Sequence, residues 1–209
     1  MHPHVKRRYG DIIRSTGIRP ERALEVGGLV GPKSLMRFPE PADAERYCLN
    51  LTQQPADGEI TAIQANANDM RGVFRSDWFD PIVCNATLEH DKRFWLSVAE
   101  MRRVLKPGGL MVISVPGYVR GPERETGRST LTYRVHYKVD YYRFSKRTVR
   151  DVFFAGMERV RVEHAMTPPR IFGYGYKPQP ASRADRAISH ARRVAGRTRG
   201  FVRRRRTRL

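Results

Sequence analysis

Acidic residues are scarce in this chain: 21 Asp and Glu stand against 40 Lys and Arg, a formal net charge of +19 over 209 residues. Cysteine is scarcer still, with only Cys48 and Cys84. Both fall inside apolar, strand-like runs, which suits small buried hydrophobes and argues against a disulfide framework, and no His/Cys spacing suggests zinc. No stretch approaches the roughly 20 uninterrupted apolar residues that a membrane-spanning helix needs. The opening "MHPHVKRRYGDIIRS" lacks the apolar centre of a signal peptide, so the expected location is cytoplasmic. The length allows one α/β domain with a sizeable core and some tail, not two ordinary enzymatic domains. No internal repeat is visible.

The charge is unevenly spread. From Arg183 to Leu209 there are eleven arginines and one acid, Asp185, so this end carries more than half of the net charge. "RADRAISHARRVAG" spaces Ala184, Ala187, Ile188, Ala191, Val194 and Ala195 as a weak amphipathic helix, and "RTRGFVRRRRTRL" then dissolves into charge. Before it, the prolines and glycines of "TPPRIFGYGYKPQPAS", residues 167–182, break any periodicity and mark a boundary. The expected division is a domain over 1–175 and a basic, amphipathic or disordered tail over 176–209.

Upstream, strand-like and helix-like segments alternate. "RALEV" (22–26), "RYCLNL" (46–51), "EITAIQA" (59–65), "FDPIVCN" (79–85) and "LMVISVP" (110–116) read as strands of a covered parallel sheet, and "ERVRVEHAM" as a later alternating strand. "VKRRYGDIIRS", "DKRFWLSVAEMRRVL" and "KRTVRDVFFAG" read as helices. The second of these places Phe94, Trp95, Val98, Met101 and Leu105 on one face, with Asp91 as N-cap and "KPGG" closing it. The pattern is a doubly wound α/β sheet, which binds ligands beyond the carboxyl ends of its strands. The link "TQQPADG" is too short for a crossover helix, so one side of the crevice is expected to be open.

"ALEVGGLVG" (23–31) runs from the first strand into a glycine turn at that edge. The dinucleotide fingerprint G-x-G-x-x-G fails in every register, which disfavours hydride transfer. Instead, "LEVGG", "NANDM", "FDPIVCNATLEH" and "EMRRVLKPGGLMVISVPG" follow in order the motifs of class I S-adenosylmethionine-dependent methyltransferases, and the chain resembles their type 11 group over roughly residues 20–165. "HYKVDYYRFSKRTV" (136–149) is similar to a segment of a subgroup associated with cell-surface glycan or other secondary biosynthesis.

The resemblance implies a mostly parallel, seven-stranded Rossmann-like sheet with helices on both faces, and S-adenosylmethionine as cofactor. It places Glu25, Gly27, Gly28 and Gly31 at the turn under the methionine part. Asn50 takes the position of the acid that holds the ribose hydroxyls, and Asn66, with Ala67, Asp69 and Met70, lies near the adenine. Asn85 closes the cofactor set. For Met70 plain core packing is the alternative. Leu29, Asn50 and Asn66 depart from the family pattern. An amide offers no charge, so on the resemblance alone Asn50→Asp should tighten cofactor binding.

The sulfonium activates its own methyl, so the protein must align a nucleophile and, for an alcohol, accept its proton. The candidates are His90, His136 and Asp140. His90 could instead cap the next helix or pack on the cofactor. The 136–143 cluster could instead be a packed lid in which Arg143 pairs with Asp140. The acceptor expected is a small molecule or glycan, methylated on oxygen. A nucleic-acid substrate is less favoured, since "CNAT" replaces an "NPPY"-type motif, and a noncatalytic binding role is the other alternative. The arginine-rich tail suits an anionic membrane surface, which would place the protein at the inner face of the membrane.

Overall fold

The computed structural model describes residues 3–37, 44–117, 140–166 and 169–180. The chain divides into two units, Met1–Pro178 and Gln179–Leu209, and the expected basic helix and charged end lie outside the described residues. The first unit begins with α1 (Pro3–Thr16), followed by β1 (Arg22–Val26), β2 (Glu45–Asn50), β3 (Thr61–Gln64) and β4 (Ile82–Asn85). A 3-10 turn (Leu88–His90), α2 (Phe94–Val104) and β5 (Leu110–Pro116) come next. After residue 140 follow α3 (Lys146–Thr148), a π-helical turn (Val149–Phe153), β6 (Glu158–Met166) and β7 (Pro169–Tyr176).

The strands form one seven-stranded sheet in the order β3-β2-β1-β4-β5-β7-β6. The first five are parallel, and β7 runs antiparallel between β5 and β6. Alternation sorts side chains to two layers. Leu24, Val26, Ile82, Cys84, Met111, Ile113 and Val115 meet α2 and the π turn through Val98, Met101, Val104 and Phe153. Ala23, Cys48, Val83, Leu110, Val112 and Phe172 meet α1 through Val5, Tyr9, Ile12 and Ile13, spaced as one helical stripe. The two layers bury β5 from Leu110 to Val115, which is why "LMVISV" is apolar at every position but Ser114. The two cysteines are free and buried, and burial pushes the Cys48 thiol up to about 12.

Three local readings change. The glycines and prolines of "TPPRIFGYGY" do not mark the end of the fold: residues 169–176 form β7, hydrogen-bonded on both edges. Gly173 serves close approach, since a Cβ there would stand 2.5 Å from Val149 and 2.6 Å from Phe154. Trp95 is half exposed, and the buried side of α2 is built by Ser97, Val98, Glu100, Met101 and Val104. Asp91 stands two positions before the cap, Arg93, yet it serves the first turn, accepting from Arg93 N at 2.8 Å and from Ser97 Oγ at 2.6 Å. No helix spans the link from β2 to β3. The exit of β7 is fastened by Lys177, whose Nζ donates to the carbonyls of Arg102 and Leu105 at 2.7 Å each, at the C-terminal end of α2.

Candidate active site

Strand order reverses between β1 and β4, so a crevice is expected beyond their carboxyl ends. The glycine turn stands there. Gly27 has φ of 76°, and a Cβ on it would lie 2.2 Å from the Thr87 side chain, so glycine is required twice over. Its N–H donates to Leu49 O at 2.8 Å. Glu25 is 2% exposed and faces the α1 layer, accepting from Ser34 Oγ at 2.5 Å and Leu35 N at 2.9 Å. Burial raises its carboxyl, while these hydrogen bonds pull it back down. The same side chain lies over Gly28, where a Cβ would come within 2.2 Å of it. Gly31, at φ of 133°, faces open space, and Leu29 is 64% exposed, turned neither into the sheet nor into a packed contact.

At the end of β2, Asn50 Nδ2 donates to Gly28 O at 2.6 Å, and Oδ1 accepts from Thr52 N and Oγ1 at 3.1 Å each. The amide thus ties the glycine turn to the loop after β2, a task that needs both donor and acceptor. Beyond β3, Asn66 Oδ1 accepts from Asn68 N at 2.9 Å, and Asp69 Oδ1 from Arg71 N at 3.2 Å. Ala67 packs against the core, and Met70 is fully buried within it, with its N–H on Glu100 Oε2 at 2.7 Å. Met70 therefore takes the packing role. Asn68, which the motif comparison passed over, joins Asp91 Oδ2 at 2.6 Å and Ser97 Oγ at 2.8 Å.

Past β4 the character changes. Asn85 Oδ1 is buried and accepts no hydrogen bond among the described residues. The 3-10 turn carries Glu89 and His90, and Glu89 O accepts from Tyr141 N and Tyr142 N at 2.8 and 3.2 Å, docking residues 140–142 on the turn. Tyr142 and Phe144 stack on each other and both meet Phe94 edge-on, and Phe94 rests on Phe153, so aromatic packing holds this segment against α2. Asp140 is thereby brought to His90, with Oδ1 at 2.7 Å from Nδ1, while Oδ2 accepts from Arg143 Nη2 at 2.6 Å. The Asp140 and Arg143 side chains are only 4% and 8% exposed, against 32% for His90. His136 lies outside the described residues. Glu89 was quoted in its motif without a role, and Arg170 on β7 was hidden by the boundary reading. The signal for Arg170 was one arginine in a run otherwise made of Ile, Phe, Tyr and Gly.

For a cofactor with a methionine end, the fit is mixed. The orphaned Asn85 oxygen beside the glycine turn suits an ammonium or amine donor, whereas both functions of the Asn50 amide are already engaged. Among the described residues, no group of three His, Cys, Asp or Glu side chains could hold a metal ion, and no helix is long and apolar enough to cross a membrane.

Residues 41–113 match a family described as "Methyltransferase domain". The YcgJ protein of Bacillus subtilis superposes with a TM-score of 0.63 at 16% identity, covering 86% of this chain and 100% of that one. The 1,6-didemethyltoxoflavin-N1-methyltransferase of Burkholderia thailandensis, solved with its acceptor and S-adenosylhomocysteine, gives 0.60 at 17%, covering 83% and 78%. Phosphoethanolamine N-methyltransferase 2 of Haemonchus contortus, solved with S-adenosyl-L-methionine, gives 0.61 at 17%, covering 82% of this chain and 53% of that one. No curated protein matches the sequence. The chain has the fold of the class I S-adenosylmethionine-dependent methyltransferases, and residues 41–113 match the methyltransferase-domain model. S-adenosylmethionine is the cofactor of this class.

Proposed function

We propose that the protein is an enzyme that methylates a hydroxyl of a small-molecule or glycan-type acceptor, using S-adenosylmethionine. The observation that carries this reading is the pairing of His90 Nδ1 with the buried Asp140 at 2.7 Å. Asp140 stabilises the imidazolium that forms when the ring takes a proton, and the nitrogen that would take it is Nε2, 3.9 Å from Glu89 Oε1. Asp140 is itself held by Arg143, so the imidazole is oriented before an acceptor arrives. The cofactor supplies a methyl already activated on a sulfonium. His90 then needs only to draw the proton from an acceptor hydroxyl as its oxygen attacks. Asn85, the glycine turn and the backbone around Gly28 would hold the methionine end, and the loops after β2 and β3 the nucleoside end. The two named relatives are N-methyltransferases, so the preference for oxygen rests on the dyad alone.

A noncatalytic binding role is favoured by one observation, the engagement of Asn50 with Gly28 and Thr52. Calorimetric titration with S-adenosylhomocysteine separates the two readings. Saturable binding is expected, and no heat at millimolar ligand would sink the enzyme reading. We also propose that the arginine-rich end attaches the protein to an anionic membrane surface on the cytoplasmic side, through charge that salt should screen.

A further inference from the structure

One partly buried arginine has no part in the scheme above. Arg170 stands on β7 opposite Pro116, at the carboxyl end of β5, on the same edge of the sheet as the 3-10 turn. Its Nε and Nη1 are shut off from solvent and donate to nothing among the described residues. A guanidinium keeps its charge, so burying it without acceptors is costly unless something else supplies them. Glu89, 3% exposed, presents the opposite case: its Oε2 is buried and accepts nothing among the described residues, while its Oε1 lies 3.9 Å from His90 Nε2. Burial raises the Glu89 carboxyl, and the charges of His90 and Arg170 pull it partly back, so the arginine is near enough to be felt. Yet no hydrogen bond or ion pair among the described residues joins the two. Opposite charges that could neutralise each other are held apart, each with open hydrogen-bonding positions.

We propose that Arg170 and Glu89 form the acceptor subsite for a hydroxylated acid. Arg170 donates to the carboxylate or phosphate of such a compound, and Glu89 Oε2 accepts from a neighbouring hydroxyl. Glu89 directly precedes His90, so a compound held this way lies beside the basic nitrogen. Calling it an acceptor subsite rests on the methyltransferase reading, whereas the recognition of the acid does not. The subsite narrows the substrate from any hydroxyl compound to one that also carries an acid group.

The test follows the arginine Nε–H signals of the full chain in ¹H–¹⁵N spectra, with the Arg170 signal assigned by its loss in Arg170→Lys and by through-bond correlation. The probes are acetate, inorganic phosphate, glycolate, which carries acid and hydroxyl together, and ethylene glycol as the neutral control. Acetate, phosphate and glycolate should shift the Arg170 signal saturably, and glycolate should bind several-fold tighter than acetate. Ethylene glycol should leave the signal in place. Glu89→Gln should erase the advantage of glycolate over acetate. An Arg170 signal that no acid moves, or that moves equally with chloride at matched ionic strength, overturns the proposal. So does equal binding of glycolate and acetate to the unmodified chain, a comparison that needs no variant to fold. S-adenosylhomocysteine also carries a carboxylate: if it displaces acetate from Arg170, the arginine belongs to the cofactor and the acceptor assignment falls. If S-adenosylhomocysteine does not bind at all, the methyltransferase reading fails, while the acid titrations still decide what Arg170 holds.

Discussion

Around the ends of β1, β2 and β3 the polar side chains bond to the neighbouring loops, whereas around β4, β5 and β7 several buried polar atoms have no partner among the described residues. Glu25 is satisfied by Ser34 and Leu35, Asn50 by Gly28 and Thr52, and Asn66 by Asn68. Asn85, Glu89 and Arg170 each keep buried atoms that bond to nothing among the described residues. The first set braces a rim in which side chains hold backbone in place. The second retains hydrogen-bonding capacity under low dielectric, where it acts strongly on whatever enters. A polar residue at a motif position is thus no guide to ligand contact until its local partners are known.

The contrast breaks most visibly at the reactive dyad. His90→Gln should lower kcat on the acceptor by about a hundredfold or more, the range expected for a lost general base, with S-adenosylhomocysteine affinity held within a few-fold. Asp140→Asn should act through the same nitrogen, so the double variant should be little worse than His90→Gln alone. A comparable fall in cofactor affinity would assign both residues to the rim instead.

On the braced side, Asn50→Asp reverses the expectation drawn from the motif. The new carboxylate would face the Gly28 carbonyl now 2.6 Å from Nδ2, two acceptors with no proton between them. A loss of about 1–3 kcal/mol is expected, visible as a lower Tm, and cofactor affinity should fall with it. A stable variant with tighter binding would return Asn50 to a direct ribose role.

The smallest effect concerns Glu25. Because burial raises its folded carboxyl above the ordinary range, the folded state is most favoured with the group protonated, and that advantage is lost as pH rises through the raised value. The unmodified chain should therefore gain stability relative to Glu25→Gln as pH falls from neutral toward the ordinary carboxylate range. Denaturant midpoints at several pH values would show it, and a flat difference would mean that the Ser34 and Leu35 hydrogen bonds fully offset burial.

The sheet was largely legible in the sequence because its first five strands are short apolar runs bounded by turn residues, and α1 and α2 carry clear stripes. β7 was not. Its glycines make room for Val149 and Phe154, and glycine selected for close approach looks, in one dimension, like glycine selected for a turn. His90 and Asp140 were each legible as candidates by residue type, but their meeting was not, because the docking of residues 140–142 on the Glu89 carbonyl is a tertiary event with no local signature. Arg170 escaped because its importance lies in the acceptors it lacks.

The position of β7 also dictates an order of completion during synthesis. The strand that seals β5 is the last in chain order among the described strands, and until it is made β5 offers its open edge to any passing extended segment. β6 must wait as well, since its only neighbour among the described strands is β7. A nascent chain halted before Pro169 would thus hold His90 and Asp140 yet keep an unsealed sheet, and the carbonyls at the end of α2 would lack Lys177. Premature termination in this stretch should yield aggregates recovered with chaperones.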